Sequence, residues 1–199
     1  MRELIVTENI TVDGVIDMAK GWFDPAGPPG VDTSDLQQVM REQGAASDAL
    51  LLGRQTFEDF RGYWPLQTDD TTGTTDYLNQ VAKYVVSSTL EDPEWENTTV
   101  LRGDPIEEVR ALKAMPGDLD ITATGSMQLV TALVASGLVD EYRLFVYPFV
   151  AGEGQRLFAD ATKLGALRLV EAQSTAPEWS SSATARESGR PRTEPHCWC

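Results

Sequence analysis

Residues 50–57 read Leu-Leu-Leu-Gly-Arg-Gln-Thr-Phe, and residues 121–129 read Ile-Thr-Ala-Thr-Gly-Ser-Met-Gln-Leu. In each stretch a short apolar run, typical of a buried strand, meets a glycine and then begins a helix. The first N–H groups of a helix have no partner within it, and with the helix dipole they favour anions such as phosphate. Two such turns in one chain indicate a ligand with more than one phosphate, and a dinucleotide is the obvious candidate.

Arg54 follows the first glycine directly and would add a fixed positive charge with a fork of donors to that turn. The alternative is an exposed arginine that pairs with Glu58 one helical turn later. A glycine between strand and helix also has a plain alternative, because it often serves only a tight turn.

The composition is that of an acidic protein of one domain. The chain has 199 residues, of which 41% are hydrophobic, and this is enough for a core without disulfides. Its formal net charge of −15 argues against a nucleic-acid partner, whose phosphates require a basic surface. No apolar run approaches the ~20 residues of a membrane span, and the N-terminal residues lack the order of a signal peptide. We therefore expect no membrane partner and a cytoplasmic location.

Histidine and cysteine occur only in the last four residues, as His196, Cys197 and Cys199. The body of the chain therefore offers no disulfide framework, no Cys/His metal site and no Ser-His or Cys-His nucleophile pair. We expect no metal.

The apolar pattern along the chain predicts an alternating α/β protein. Strands are predicted over residues 2–8, 48–52, 83–87, 98–101, 120–124, 142–147 and 167–172, with helices between most of them. Because the strands are continuous apolar runs, we expect a twisted, mostly parallel sheet with helices on both faces, in three layers. From residue 176 the periodicity ends, so we expect one domain over residues 1–175 and an irregular, disordered tail over 176–199.

Several short motifs together are more specific than either glycine turn alone. They are Val12-Asp13-Gly14-Val15-Ile16, Leu52-Gly53-Arg54-Gln55-Thr56-Phe57, Val85-Val86-Ser87-Ser88-Thr89, Gly125-Ser126-Met127-Gln128-Leu129, Gly137-Leu138-Val139-Asp140-Glu141, and Pro148-Phe149-Val150-Ala151-Gly152-Glu153-Gly154 with Leu157-Phe158. In this order the chain resembles the dihydrofolate reductase superfamily. Within it, the chain is similar to the reductase domain of bacterial riboflavin biosynthesis.

The resemblance implies an NADPH-dependent reductase that acts by hydride transfer. The substrate would be a pyrimidine ribosylamine, like 5-amino-6-(5-phosphoribosylamino)uracil, or a pteridine such as dihydrofolate. By family position the cofactor would lie on four groups of residues: Asp13, Gly14 and Ile16; Gly53, Arg54, Gln55 and Thr56; Ser87 and Ser88; and Gly125, Ser126, Met127, Gln128 and Leu129. The plain alternatives are that Ser87 and Ser88 only end a strand and that Thr56 only caps a helix.

The same resemblance assigns the substrate side to Asp35, as the catalytic carboxylate, and to Tyr147. Trp22, an aromatic residue of the long loop before Asp35, is a further candidate for the substrate pocket, and its plain alternative is core packing. Asp35 also stands in the first turn of a predicted helix, where the helix dipole alone favours an acid. Tyr147 replaces a histidine that relatives often carry before the proline, and this leaves the substrate open.

Two other functions remain open at this point. The chain is alternatively a non-catalytic nucleotide-binding protein of the same fold, because a fold does not determine a function. It is otherwise a dimer-forming relative without a ligand, and a homodimer is also the assembly that we expect of the reductase.

Overall fold

The computed structural model describes residues 1–23, 32–70, 72–159, 164–175 and 179–186. The strands are β1 (Leu4–Thr11), β2 (Ser47–Gly53), β3 (Ala82–Val86), β4 (Thr98–Leu101), β5 (Asp120–Thr124), β6 (Glu141–Tyr147), β7 (Leu167–Thr175) and β8 (Trp179–Arg186). The α-helices are α1 (Ser34–Ala45), α2 (Arg54–Tyr63), α3 (Thr74–Gln80), α4 (Pro105–Ala114) and α5 (Met127–Ser136). Part of the long loop before α1 and the end of the predicted tail lie outside the described residues.

One sheet of eight strands, in the order β4-β3-β2-β5-β1-β6-β8-β7, organises the described chain. The first six strands of this order run parallel, and β8 and β7 add an antiparallel hairpin beside β6. The predicted mostly parallel α/β sheet is therefore confirmed.

Both faces of the sheet are covered by helices, as the apolar runs predict. On β2, Ala49 and Leu51 belong to a core with α4 and α5, whereas Leu50 and Leu52 pack with α2 and α3 on the opposite face. All four side chains are buried, and each buried leucine contributes about 1.5–3 kcal/mol of hydrophobic stabilisation.

The expectation of an irregular segment from residue 176 is wrong over residues 179–186, which form β8. This strand pairs with β6 from Glu141↔Ala185 to Val146↔Ser180 and with β7 on its other side. Its sequence, Trp-Ser-Ser-Ser-Ala-Thr-Ala-Arg, carries no apolar alternation, so the periodicity of its side chains could not reveal it. Main-chain hydrogen bonds to the strands on both sides hold β8 in the sheet, although its side chains give no strand pattern. The domain therefore extends at least to Arg186.

The topology creates a crevice at the carboxyl ends of β2 and β5. These two strands are neighbours, yet the chain leaves β2 into α2 on one face and leaves β5 into α5 on the other. Neighbouring strands whose helices leave to opposite faces form a topological switch point, where open α/β sheets bind their ligands.

Candidate functional site

The two glycine turns meet at this switch point and hold each other. The N–H of Gly53 donates to the Ser126 hydroxyl at 2.7 Å, and the N–H of Ser126 donates to the Thr56 hydroxyl at 2.8 Å. The structure thus brings together the two motifs that the sequence marked separately. Thr56 is more than a local helix residue, because it joins the α2 turn to the α5 turn.

Both helices begin without a side-chain cap in the described chain. The N-cap of α2 is Gly53, which has no side chain, and the N-cap of α5 is Ser126, whose hydroxyl is engaged by Gly53. The first amides of each helix, including those of Gln128 and Leu129, have no acceptor within the helix. Two uncapped helix N-termini side by side present unpaired amides and positive dipole ends, an arrangement that can accept anions.

The α5 turn is strained, and the α2 turn is not. Gly125 has φ of +58°, and a Cβ there would lie 2.8 Å from the Thr56 Cγ2. Ser126 follows with φ of +49°, a left-handed conformation that costs a residue with a side chain about 1–3 kcal/mol. Strain of this kind concentrates at ligand sites, whereas Gly53 has an ordinary φ of −85°.

Arg54 and Gln55 are exposed on the first turn of α2 and pair along the helix. The Arg54 guanidinium lies 2.9 Å from the Glu58 carboxylate, and the Gln55 amide donates to Asp59 at 3.0 Å. This ion pair is the alternative to phosphate binding that the four-residue spacing of Arg54 and Glu58 indicated. Phosphate binding by Arg54 remains a prediction. It requires the guanidinium to leave the Glu58 carboxylate and to contact the ligand instead.

Ser87 and Ser88 lie just beyond β3, at the same edge of the sheet as the two turns. The Ser87 hydroxyl accepts hydrogen bonds from the amides of Thr89 and Leu90, at 3.2 and 3.0 Å, so it orders its own turn. Ser88 is exposed. Of the two serines, Ser88 is therefore the one on the surface.

The Asp13 carboxylate joins two loops through hydrogen bonds. Its carboxylate accepts hydrogen bonds from the Thr11 hydroxyl at 2.6 Å and from the amides of Ala151 and Gly152 at 3.1 and 2.9 Å. The hydrogen bond from Thr11, assisted by the two amides, lowers the pKa of Asp13 to about 2. The carboxylate is thus committed to joining the loop after β1 to the loop after β6.

The other two predicted residues of this loop differ in kind. Gly14 has φ of +84°, which a glycine adopts without the strain of a side chain. The Ile16 side chain is buried in the core. Any contact that it makes with a cofactor ring would therefore come from the side of the site that faces the core.

An aromatic cluster closes the carboxyl end of β1 and β6. The Trp22 ring lies 5.3 Å from the Tyr147 ring, and Phe23 lies 5.7 Å from Tyr147, both edge to face. The Trp22 indole N–H donates to the Asp17 carbonyl at 2.8 Å, and burial raises the pKa of Tyr147 to about 12. Two of the three predicted substrate residues, Trp22 and Tyr147, are therefore in contact.

Asp35 lies in the first turn of α1 and lines an open cavity of about 190 Å³. The opposite wall is the carboxyl end of β7, which the sequence did not associate with Asp35. The lining residues are Asp35, Gln38, Val39, Glu42, Gln173, Ser174 and Thr175. The cavity is polar and accessible, as a substrate carboxylate partner requires.

Glu8 is a residue of this region that the sequence argument missed. It stands on β1 one position beyond the Thr7↔Thr124 pair with β5, it is only 2% exposed, and the Gly125 amide interacts with its carboxyl. Burial raises the pKa of Glu8 well above its usual value. The available signal was an acidic residue at an inward-facing position of an apolar strand.

Two features are absent from the part of the chain that the structure describes. No group of three or more His, Cys, Asp or Glu side chains could hold a metal ion there. None of the helices in that part of the chain has the length and apolar character needed to cross a bilayer.

Comparison with known proteins gives a family. The model of the RibD C-terminal domain matches residues 2–180. The chain is 34% identical over 174 residues to the uncharacterized protein YyaP of Bacillus subtilis (strain 168), across 85% of this chain and 87% of that one.

Solved structures share the fold. One is a putative riboflavin biosynthesis protein from Shewanella sp. PV-4, with a TM-score of 0.65 and 17% identity over 94% of this chain and 99% of that one. A pyrimidine reductase-like protein from Corynebacterium diphtheriae has a TM-score of 0.56 and 14% identity, over 94% and 93%. The diaminohydroxyphosphoribosylaminopyrimidine deaminase/5-amino-6-(5-phosphoribosylamino)uracil reductase of Thermotoga maritima has a TM-score of 0.59 and 14% identity, over 93% and 56%.

Proposed function

The chain belongs to the RibD C-terminal domain family, and on that premise we propose that it is an NADPH-dependent reductase of a nitrogen heterocycle. The observation that carries the proposal is the pair of uncapped helix N-termini joined through Gly53, Thr56 and Ser126. Two adjacent phosphates would satisfy both sets of amides, and a pyrophosphate has this form.

The residues at the switch point fit a dinucleotide. The α2 and α5 turns would hold its phosphates, with Ser88 on the adenosine side and the loop around Gly14 on the nicotinamide side. NADPH when bound supplies the hydride, and the protein supplies binding, orientation and electrostatics. Because the net charge of the chain is −15, the site must attract the phosphates through local amides against the overall field.

The substrate would occupy the opposite side of the same edge of the sheet. We assign it to the region of Trp22, Tyr147 and Asp35, where the aromatic rings would pack against a planar heterocycle and the carboxylate would accept its ring N–H. The candidate substrates are the pyrimidine ribosylamine named for the Thermotoga maritima enzyme and dihydrofolate.

The test measures loss of the reduced-nicotinamide absorbance with each candidate substrate in the wild type, Asp35→Asn and Glu42→Gln. Glu42 lines the same cavity two helical turns later, so it is a matched control for the loss of one carboxylate. We expect Asp35→Asn to lower turnover by about a hundredfold or more, with unchanged NADPH affinity. Glu42→Gln should behave as the wild type.

The outcomes separate the functions. Turnover in the wild type with equal rates in all three proteins would contradict the role of Asp35 and keep the reductase. NADPH binding without turnover of either compound would favour a non-catalytic nucleotide-binding protein, and absence of binding would contradict the proposal itself.

A further inference from the structure

Glu8 is a buried carboxyl group that the proposed reaction does not use. On β1 it shares a face with Leu4, Val6 and Ile10, which pack in the core beneath α4 and α5. The Gly125 amide acts on its carboxyl, and its Oε1 accepts no hydrogen bond from any residue that the structure describes. A buried polar atom without a partner costs about 1–3 kcal/mol, so its presence calls for an explanation.

The charges around Glu8 do not balance an ionised carboxylate. The helix above it, α5, has no ionisable residue, and on β5 the inward positions are Ile121 and Ala123. On β6 the residue in register with Glu8 is Leu144, and the titratable group on that face is the Tyr142 phenol.

The buried cation of α4 is paired with another carboxylate. Lys113 pairs with Asp140, which accepts the Leu4 amide at the opposite end of β1. The Arg156 guanidinium, in the loop that contacts α5 through Gln155, lies against Asp13. Glu8 therefore lies in an apolar setting that favours its neutral form.

We propose that Glu8 is a positioning residue of the α5 turn, and that the anionic dinucleotide binds the protein only while Glu8 is protonated. This inference rests on the proposed function. The neutral carboxyl accepts the Gly125 amide through its carbonyl oxygen and supports the strained turn without adding charge. An ionised Glu8 would place a negative charge beside Gly125, next to the turn whose amides would receive the pyrophosphate, and like charges repel strongly in a low-dielectric setting.

The coupling between protonation of Glu8 and ligand binding has a definite sign. If only the protonated protein binds the ligand, the dissociation constant is independent of pH below the pKa of free Glu8. Above that pKa it rises tenfold for each pH unit, because the competent fraction falls by that factor.

The experiment titrates NADP⁺ into the wild type, Glu8→Gln and Glu3→Gln between about pH 6 and 9 and follows tryptophan fluorescence. Glutamine keeps the oxygen that accepts the Gly125 amide but cannot ionise. Glu3 is exposed just before β1 and serves as a matched control. The 2′-phosphate of NADP⁺ titrates equally in all three experiments, so the differences between proteins belong to Glu8.

We expect the dissociation constants of the wild type and Glu3→Gln to rise with pH more steeply than that of Glu8→Gln, by up to tenfold per unit. Parallel profiles for three proteins that bind NADP⁺ would overturn this inference and leave the proposed function standing. Absence of NADP⁺ binding in all three would overturn both.

A second measurement needs no substitution and serves if Glu8→Gln does not fold. Infrared difference spectra of the wild type, recorded with and without NADP⁺ above the pH at which affinity begins to fall, report the C=O stretch of a protonated carboxylic acid. We expect this band to gain intensity on binding. An unchanged band would overturn the inference.

Discussion

The two faces of the sheet each carry a glycine turn and a buried ionisable side chain. The faces differ in the backbone conformation of the glycine and in the hydrogen-bond partners of the buried group. On the face of α2 and α3, Gly53 has an ordinary φ, and the fully buried Lys83 donates to the carbonyls of Leu78 and Val81 at 2.7 and 3.0 Å. On the face of α4 and α5, Gly125 is left-handed and tightly packed, and Glu8 has an oxygen without a partner in the described chain.

The difference concerns strain at the two turns and the partners of the two buried ionisable groups. Lys83 also lies 4.6 Å from the centre of the Trp95 ring, so its burial is explained by satisfied contacts alone. The α5 turn combines a left-handed backbone with a nearby buried carboxyl oxygen that has no partner in the described chain, and strain of this kind persists where function maintains it. The two faces can therefore be compared by matched substitutions.

The largest effect is expected from the two glycines. Gly125→Ala forces a side chain into a left-handed position and against Thr56, which we expect to cost about 2–4 kcal/mol of unfolding free energy. Gly53→Ala places its Cβ 3.2 Å from the Ser126 hydroxyl and should cost no more than about 1 kcal/mol. Urea denaturation of the two variants measures the contrast, and equal losses would show that the two turns are equivalent.

A second contrast concerns pH and the two buried groups. Burial lowers the pKa of Lys83 to about 8, below the 10.5 of a free lysine. The unfolded chain therefore holds more protons between about pH 8 and 10.5, and stability should rise with pH across that window by about 1–3 kcal/mol. Chemical denaturation at several pH values tests this, and Lys83→Met should remove the rise.

Glu8 should show the opposite sign in the same assay. Because burial raises its pKa above 4.5, the folded chain holds the proton that the unfolded chain loses. Its contribution to stability is complete below about pH 4.5 and is lost as the pH rises through the folded-state value. Glu8→Gln should flatten this decline, and an unchanged profile would show that Glu8 is not neutral in the free protein.

The smallest effect is expected on the exposed side of α2. Arg54→Ala should weaken NADPH binding at least about tenfold, since a charge-assisted contact contributes about 1.5–3 kcal/mol, with little change in stability. Glu58→Gln is the matched control, because it frees Arg54 from a pair of about 0.3–0.5 kcal/mol and should strengthen binding about twofold.

Salt provides a further check on Arg54. The loss caused by Arg54→Ala should shrink as ionic strength rises, because screening already weakens the wild-type contact. If both variants bind NADPH as the wild type does, the phosphates depend on the α5 turn alone, and the difference between the two faces becomes sharper.

The elements that the sequence predicted correctly are those with a local signal. The central strands are continuous apolar runs, and the helices begin after glycine or at a capping residue such as Asp104, whose side chain accepts the amides of Ile106 and Glu107. Strand β8 had no such signal, since it is held by pairing with β6 and β7. Asp13 was assigned to the cofactor by family position, and the structure engages its carboxylate between two loops.

By itself the sequence determined the alternating α/β architecture and the two glycine turns, because apolar periodicity and the demands of tight turns are properties of neighbouring residues. Only the tertiary structure decided that Gly53 and Ser126, separated by 73 positions, hydrogen-bond to each other. It also decided that Glu8 of β1 is buried beside the α5 turn. Contacts between distant residues, and the burial that shifts the pKa of a carboxyl, depend on how strands are ordered in the sheet, and no local pattern of side chains encodes that order.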